Sequence, residues 1–243
     1  MIGDILTVMW KERRQMLRLP GARARFAMVV LSPLCLALWG AIEEPARWPS
    51  GFFTLLISAI TSMIVVCTTI PDSVAGERER HTLETLLASR LPDRAILLGK
   101  MAVPVLLGWA ATVFVLLAAL VAANVSHLAR GGGGILLYGP GDAAANLGLG
   151  LLLAVLTAGA GTLISLRSPS VQQATQKLTA ILLMPPMVLG PVLMVFHGPL
   201  APVLRALDTR WTMPGILVLL ALVDGALVSA AFGRFRRASL CFG

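Results

Sequence analysis

Charge is scarce in this chain: 13% of its 243 residues are Asp, Glu, Lys or Arg, against about a quarter in an ordinary soluble domain. That shortage excludes a water-soluble globule, a disordered tail and a coiled coil. Aromatic residues are also few, at 6%, so the 57% hydrophobic content rests on Leu, Val, Ala, Ile and Met. There are three cysteines. Cys35 and Cys67 lie within apolar runs and Cys241 near the C-terminus, which gives no disulfide framework. No polar stretch is long enough for an independent catalytic domain of about 50–250 residues. Neither a phosphate-cradling Gly-x-x-x-x-Gly-Lys-Ser/Thr loop nor a His-Glu-x-x-His zinc motif occurs. A cleavable signal peptide is not expected either, because the first apolar run begins only at Phe26, behind a charged segment.

What is present is a series of apolar runs. A spanning helix needs about 20 apolar residues, and runs of that kind fall at 26–42, 51–70, 101–123, 145–166, 178–197 and 213–233. The fold class expected is an all-α integral membrane protein with six transmembrane helices. Residues 1–25 precede them as an amphipathic interfacial helix ended by Pro20-Gly21, and 234–243 follow as a basic tail. On a helix, Ile2, Ile5, Leu6, Met9, Trp10, Met16 and Leu17 share one face, with Asp4, Lys11, Glu12, Arg14, Gln15 and Arg18 on the other. The expectation is a helix lying on the membrane with its cationic face outward.

The net charge of +8 is distributed by topology. Lys11, Arg13, Arg14, Arg18, Arg23 and Arg25 precede span one. Arg78, Arg80, Arg90, Arg94 and Lys100 follow span two, Arg167 and Lys177 follow span four, and Arg234, Arg236 and Arg237 follow span six. Only Arg47, Arg130, Arg205 and Arg210 fall in the other loops. The positive-inside rule therefore places both termini in the cytoplasm. Among the outer connections, 43–50 reads as a tight hairpin, 124–141 as glycine-rich and flexible, and 198–212 as a short apolar dip into the leaflet. Pro185, Pro186 and Pro191 should kink or break span five.

The connection between spans two and three, 71–100, is longer than two neighbouring helix ends require, and long loops usually carry function. Its acidic and basic residues come first. Leu83, Leu86, Leu87 and Leu91 form a stripe behind them, so a short charged helix held at the membrane face is expected. Glu77 and Glu84 stand at helical spacing from Arg80. Pro92 should stop this helix, and Asp93 should cap the next.

The run Ala75-Gly76-Glu77-Arg78-Glu79-Arg80-His81-Thr82-Leu83-Glu84-Thr85-Leu86-Leu87, followed by Ile96-Leu97-Leu98-Gly99-Lys100, resembles the permeases of type-2 ATP-binding-cassette exporters. The resemblance extends to the N-terminal helix, the six-span plan and the proline-rich fifth span; His81 departs from the commoner small or basic residue. It implies a cytoplasmic coupling helix between spans two and three, seated in a groove of a separate ATPase subunit. Glu77, Arg78, Glu79, Arg80 and Glu84 would then make ionic contacts with that subunit. Arg167, Gln172, Gln173 and Lys177, in 167–177, would form a second contact. The chain itself would need no cofactor; ATP and Mg would sit on two copies of the partner ATPase, beside a second permease subunit, identical or related. The implied location is the inner membrane of a bacterial cell.

Asp224 is the one carboxylate deep in a span, a placement that points to a translocation path or to a structural contact such as Ser229. Thr61 and Ser62, with Ser58, Thr157 and Thr162, are the other polar groups in the spans, which favours a hydrophobic or amphipathic cargo. His127 and His197 read as interfacial filler, and Asn124-Val125-Ser126 as a chance glycosylation pattern. Gly148, Gly150, Gly159 and Gly161 should permit close helix packing. Two other classes compete. A proton-coupled carrier would have to work through Asp224 alone. An intramembrane aspartyl protease would use Gly139-Pro140-Gly141-Asp142, but it lacks a second aspartate in the preceding span.

Overall fold

A computed structural model describes residues 2–18, 22–79, 92–185, 188 and 209–234, and apart from turns and connecting loops these are helical. The helices are α1 (Ile2–Arg18), α2 (Ala22–Glu43), α3 (Phe52–Glu79), α4 (Asp93–Ala129), α5 (Pro140–Ser165), α6 (Val171–Leu178) and α7 (Thr209–Arg234). A 3-10 helix, Pro45–Ser50, joins α2 to α3, and α6 continues through a π-helical turn, Thr179–Leu183. Among the described residues, five segments are long and apolar enough to cross a bilayer: Phe26–Glu43, Phe52–Glu77, Asp93–Ala129, Pro140–Ser165 and Met213–Arg234. The expected span at 178–197 is described only in its first part. Arg80, His81 and Glu84 of the coupling segment, most of the outer loop 198–212, and the tail from 235 lie outside the described residues, as does the side chain of Arg78.

Hydropathy marked where lipid should lie, and the helices run further. α3 continues past position 70 to Glu79, and α4 begins at Asp93 rather than 101 and ends at Ala129 rather than 123. Pro92 occupies the N-cap position in extended backbone and Asp93 lies in the first turn, so the expected cap is shifted by one residue. At 37 residues, α4 is about 55 Å long, well beyond the roughly 30 Å of hydrocarbon. Its excess length reaches past the membrane core.

α3 is the centre of the bundle, packed chiefly on α5 and α4. Two apolar clusters divide its length. Ile57 and Val65 join Val30, Ala37 and Ala41 of α2 and Ala111, Val115, Ala119 and Ala123 of α4. Toward the other end, Val66, Cys67 and Ile70 pack with Ile96, Leu97, Met101, Ala154, Ala158, Leu178 and Ala231. Glycines of α5 set the spacing, as their sequence pattern suggests. A Cβ at Gly161 would come within 2.4 Å of Ile70 Cγ2, and one at Gly159 within 3.2 Å of Leu227 Cβ. One helix thereby brings α3 close on one side and α7 on the other.

Candidate functional site

At the end of the bundle that carries the N-terminus, α1 lies across the start of α4. Gly99 makes the crossing possible: a Cβ there would stand 2.6 Å from Val8 Cβ and 3.2 Å from the carbonyl of Ile5. The next residue, Lys100, is only 1% exposed. Its ammonium donates to Glu12 Oε1 of α1 at 2.9 Å and to the Ser73 carbonyl of α3 at 2.6 Å, and it pairs with Glu77 Oε2 of α3 at 2.7 Å. Three partners match the three protons of an ammonium. Glu77 also accepts from Lys11 Nζ, at 2.7 Å to Oε1. Two ammoniums and two carboxylates from three helices thus form a cluster in which Lys100, Glu77 and Glu12 are buried and Lys11 is partly exposed.

Burial of this cluster has a cost, which pairing offsets. Desolvation pushes the Glu12 carboxyl above its ordinary range, and the facing Lys100 partly counters it. A junction held this way tolerates no missing partner, because the survivor is left as a buried, uncompensated charge.

Of the polar face expected on α1, Arg14 is exposed, whereas Lys11 and Glu12 turn to the bundle. Its innermost side chains are Val8 and Glu12, each 2% exposed, with Lys11 turned to Glu77. Leu6 and Trp10, from the apolar face, are instead 58% and 53% exposed. Lys11 and Glu12 of the polar stripe form ion pairs with the bundle, and these set the rotation of the helix.

The residues singled out for partner contact separate into two groups. Glu77 is fully buried within this chain, so it lies beneath the surface of the segment. Glu79 is exposed, and its Oε1 accepts the backbone N–H of Val171 at 2.8 Å, at the start of α6. Ser170 caps the same helix by accepting from the Gln173 N–H. Glu79 thereby ties the end of α3 to the 167–177 segment, two regions that sequence reasoning had linked only through a shared partner. Gln172, Gln173 and Lys177 are exposed on α6, and Arg167 is exposed at the end of α5. An open groove of about 740 Å³ runs here, lined by Glu79, Val171, Gln172, Thr175 and Gln176 among others.

Thr61 and Ser62 sit in the packed interior of α3, their hydroxyls donating to the Ile57 and Ala59 carbonyls of the same helix. A Cβ at Gly108 of α4 would come within 3.0 Å of the Ser62 carbonyl, so these two residues lie at a tight helix crossing. Asp224 is 5% exposed on α7, and neither carboxylate oxygen has a hydrogen-bond partner among the described residues. The suggested contact with Ser229 does not form, since that hydroxyl donates to the Ala226 carbonyl. Lys100, Glu12 and Lys11 were not among the sequence candidates. The available signal was Lys100 itself, a lysine followed immediately by a long apolar run and in need of a counter-charge.

Helices of this length and hydropathy, packed through small residues, define a multi-pass membrane protein. The chain belongs to the ABC-2 type transporter family, whose sequence model matches residues 3–214. That family comprises the transmembrane subunits of type-2 ABC transporters. No curated protein is similar enough to the chain to count as a match.

Proposed function

We propose that the chain is the permease subunit of an ABC exporter for a hydrophobic or amphipathic substrate, powered by a separate ATPase subunit. In this reading six spans cross the inner membrane, both termini are cytoplasmic, and two permease subunits pair in the transporter. The observation that carries it is the Lys100–Glu77–Glu12 cluster, placed where the connection from α3 to α4 leaves the bundle. A push on that connection from a docked ATPase would reach α1, α3 and α4 together, because one buried ammonium holds all three. Glu79 passes the same motion to α6.

Glu77 then acts as a positioning residue under the coupling segment, while Glu79, Arg78, Arg80 and Glu84 remain the proposed ionic contacts on it. Arg167, Gln172, Gln173 and Lys177 supply the second contact. Such movement would rock the spans between inward- and outward-open states. Asp224, with its unsatisfied carboxylate, is the proposed polar point on the translocation path.

Reversal of the exposed face of α6 tests this reading. The variant Gln172→Glu/Gln173→Glu/Lys177→Glu, co-expressed with a candidate ABC ATPase subunit that the unaltered chain binds, should lose co-purification or stimulated ATP hydrolysis. Disrupted charge pairs at an interface cost roughly 2–5 kcal/mol. Normal binding and stimulation by this variant, or transport by the chain without ATP, would overturn the assignment.

A further inference from the structure

α1 has a second surface. Opposite Val8 and Glu12, the residues Gly3, Leu6, Thr7, Trp10, Arg13 and Arg14 form a continuous exposed face. It pairs two large apolar side chains with two guanidiniums and carries no carboxylate. On a helical wheel Arg13 and Arg14 fall on either side of Trp10. The Arg14 guanidinium lies 4.5 Å from the centre of the Trp10 ring, a cation–π contact that holds its charge beside the indole.

Lys11, also on α1, is turned to Glu77. Arg13 and Arg14 instead face away from the bundle. Leu6 and Trp10 suit the boundary between headgroups and acyl chains, where indole rings concentrate. Guanidiniums at that depth meet lipid phosphates, and basic groups near an anionic surface are drawn to it.

We propose that this face of α1 binds anionic phospholipid headgroups in the adjacent leaflet, with Leu6 and Trp10 inserted and Arg13 and Arg14 on the phosphates. The opposite face of the same helix holds Glu12 in the buried cluster. Lipid composition would thereby bear on the junction where α1, α3 and α4 meet. This inference rests on the chain being membrane-embedded, not on its being driven by an ATPase.

The test uses the full chain in phosphatidylcholine nanodiscs containing a minor fraction of phosphatidylglycerol. Either lipid carries brominated acyl chains, and the Trp10 signal is obtained by difference from Trp10→Phe. Quenching should show phosphatidylglycerol enriched roughly tenfold at Trp10 over its share of the disc. Arg13→Gln/Arg14→Gln should abolish the enrichment, and Arg13→Lys/Arg14→Lys should keep it. Both pairs are exposed and leave the buried cluster intact.

Equal quenching by the two lipids would overturn the proposal. So would enrichment that survives the glutamine variant, since the preference would then belong to other basic residues. Protection of Trp10 only when an ATPase subunit is bound would assign this face to a protein instead. No ATP hydrolysis or transport is read, so failure here leaves the exporter reading standing, and failure of that reading leaves this result interpretable.

Discussion

The two ends of the bundle are fastened by different chemistry. Near the N-terminus the fastening is ionic: Lys100, Glu77, Glu12 and Lys11 join helices that are far apart in sequence. At the opposite end it is mostly neutral. Trp48 Nε1 donates to the Tyr138 hydroxyl at 3.0 Å, and that hydroxyl donates to the Leu116 carbonyl. Asn124 accepts from the Leu136 N–H and donates to the Leu136 carbonyl, which pins the loop 130–139 over α4. Arg130 contributes a charge, but only to backbone carbonyls of Ile42 and Glu43 at the end of α2. Neutral bonds fail one at a time at about 1 kcal/mol each. A buried ion cluster fails as a unit. The end proposed to receive force is thus the end built to move together, while the other end is a set of independent clasps.

The largest effect should come from Lys100→Met, which strands Glu12 in the interior and leaves Glu77 with Lys11 alone. Breaking a buried pair costs about 3–5 kcal/mol, so thermal unfolding in detergent should shift far downward and α1 should become protease-sensitive. Next, Gly99→Val should wedge α1 away from α4 without touching any charge. Overpacking of this kind costs about 1–3 kcal/mol, read by the same proteolysis of α1. If Gly99→Val leaves α1 docked, the close crossing is not what seats it.

Asn124→Ala, at the neutral end, should cost roughly 1–3 kcal/mol by orphaning the Leu136 backbone groups. Exchange of the Leu136 amide proton should accelerate while α1 stays protected. Sensitivity of both ends to this one change would erase the contrast between them. The smallest effect is spectroscopic. Tyr138 is the chain's single tyrosine, and burial pushes its hydroxyl up to about 12, slightly countered by the Trp48 hydrogen bond. Phenolate absorbance should therefore titrate near 12 in the folded protein and near about 10 when denatured. Because the folded value is the higher one, this contribution is complete below the unfolded value and is lost as pH rises through the folded one.

Sequence reading found five of the six expected spans among the described residues because apolar length is a local property. α2, α5 and α7 lie close to where hydropathy put them. The ends of α3 and α4 were missed because hydropathy reports where lipid is, and a helix does not stop at lipid when Glu79 or Asp93 can continue it in water. The outer connection 124–141 shows the same effect. Helix persists through Asn124 to Ala129, and the flexible part shrinks to a stretch with Gly131 and Gly134 at φ +80° and +88°. Asn124-Val125-Ser126 had been set aside as a chance pattern, yet Asn124 clamps the loop. The ion cluster was invisible for a different reason. Glu12 and Lys100 are separated by 88 positions, and no periodicity links residues that meet only after three helices pack.

The length of α4 gives it a mechanical character. It approaches α3 closely at Gly108, where a Cβ would meet both Val66 and the Ser62 carbonyl. Measured from that crossing, the arm toward Asp93 is about 23 Å and the arm toward Ala129 about 32 Å. Pro104 sits one turn from that fulcrum on the shorter arm, and a helix turning there is an unequal lever. A shift applied near Asp93 would emerge enlarged by about 1.4-fold at the far tip, beside the clasp that Asn124 makes with Leu136. Gearing is therefore already present in where one glycine falls along one helix.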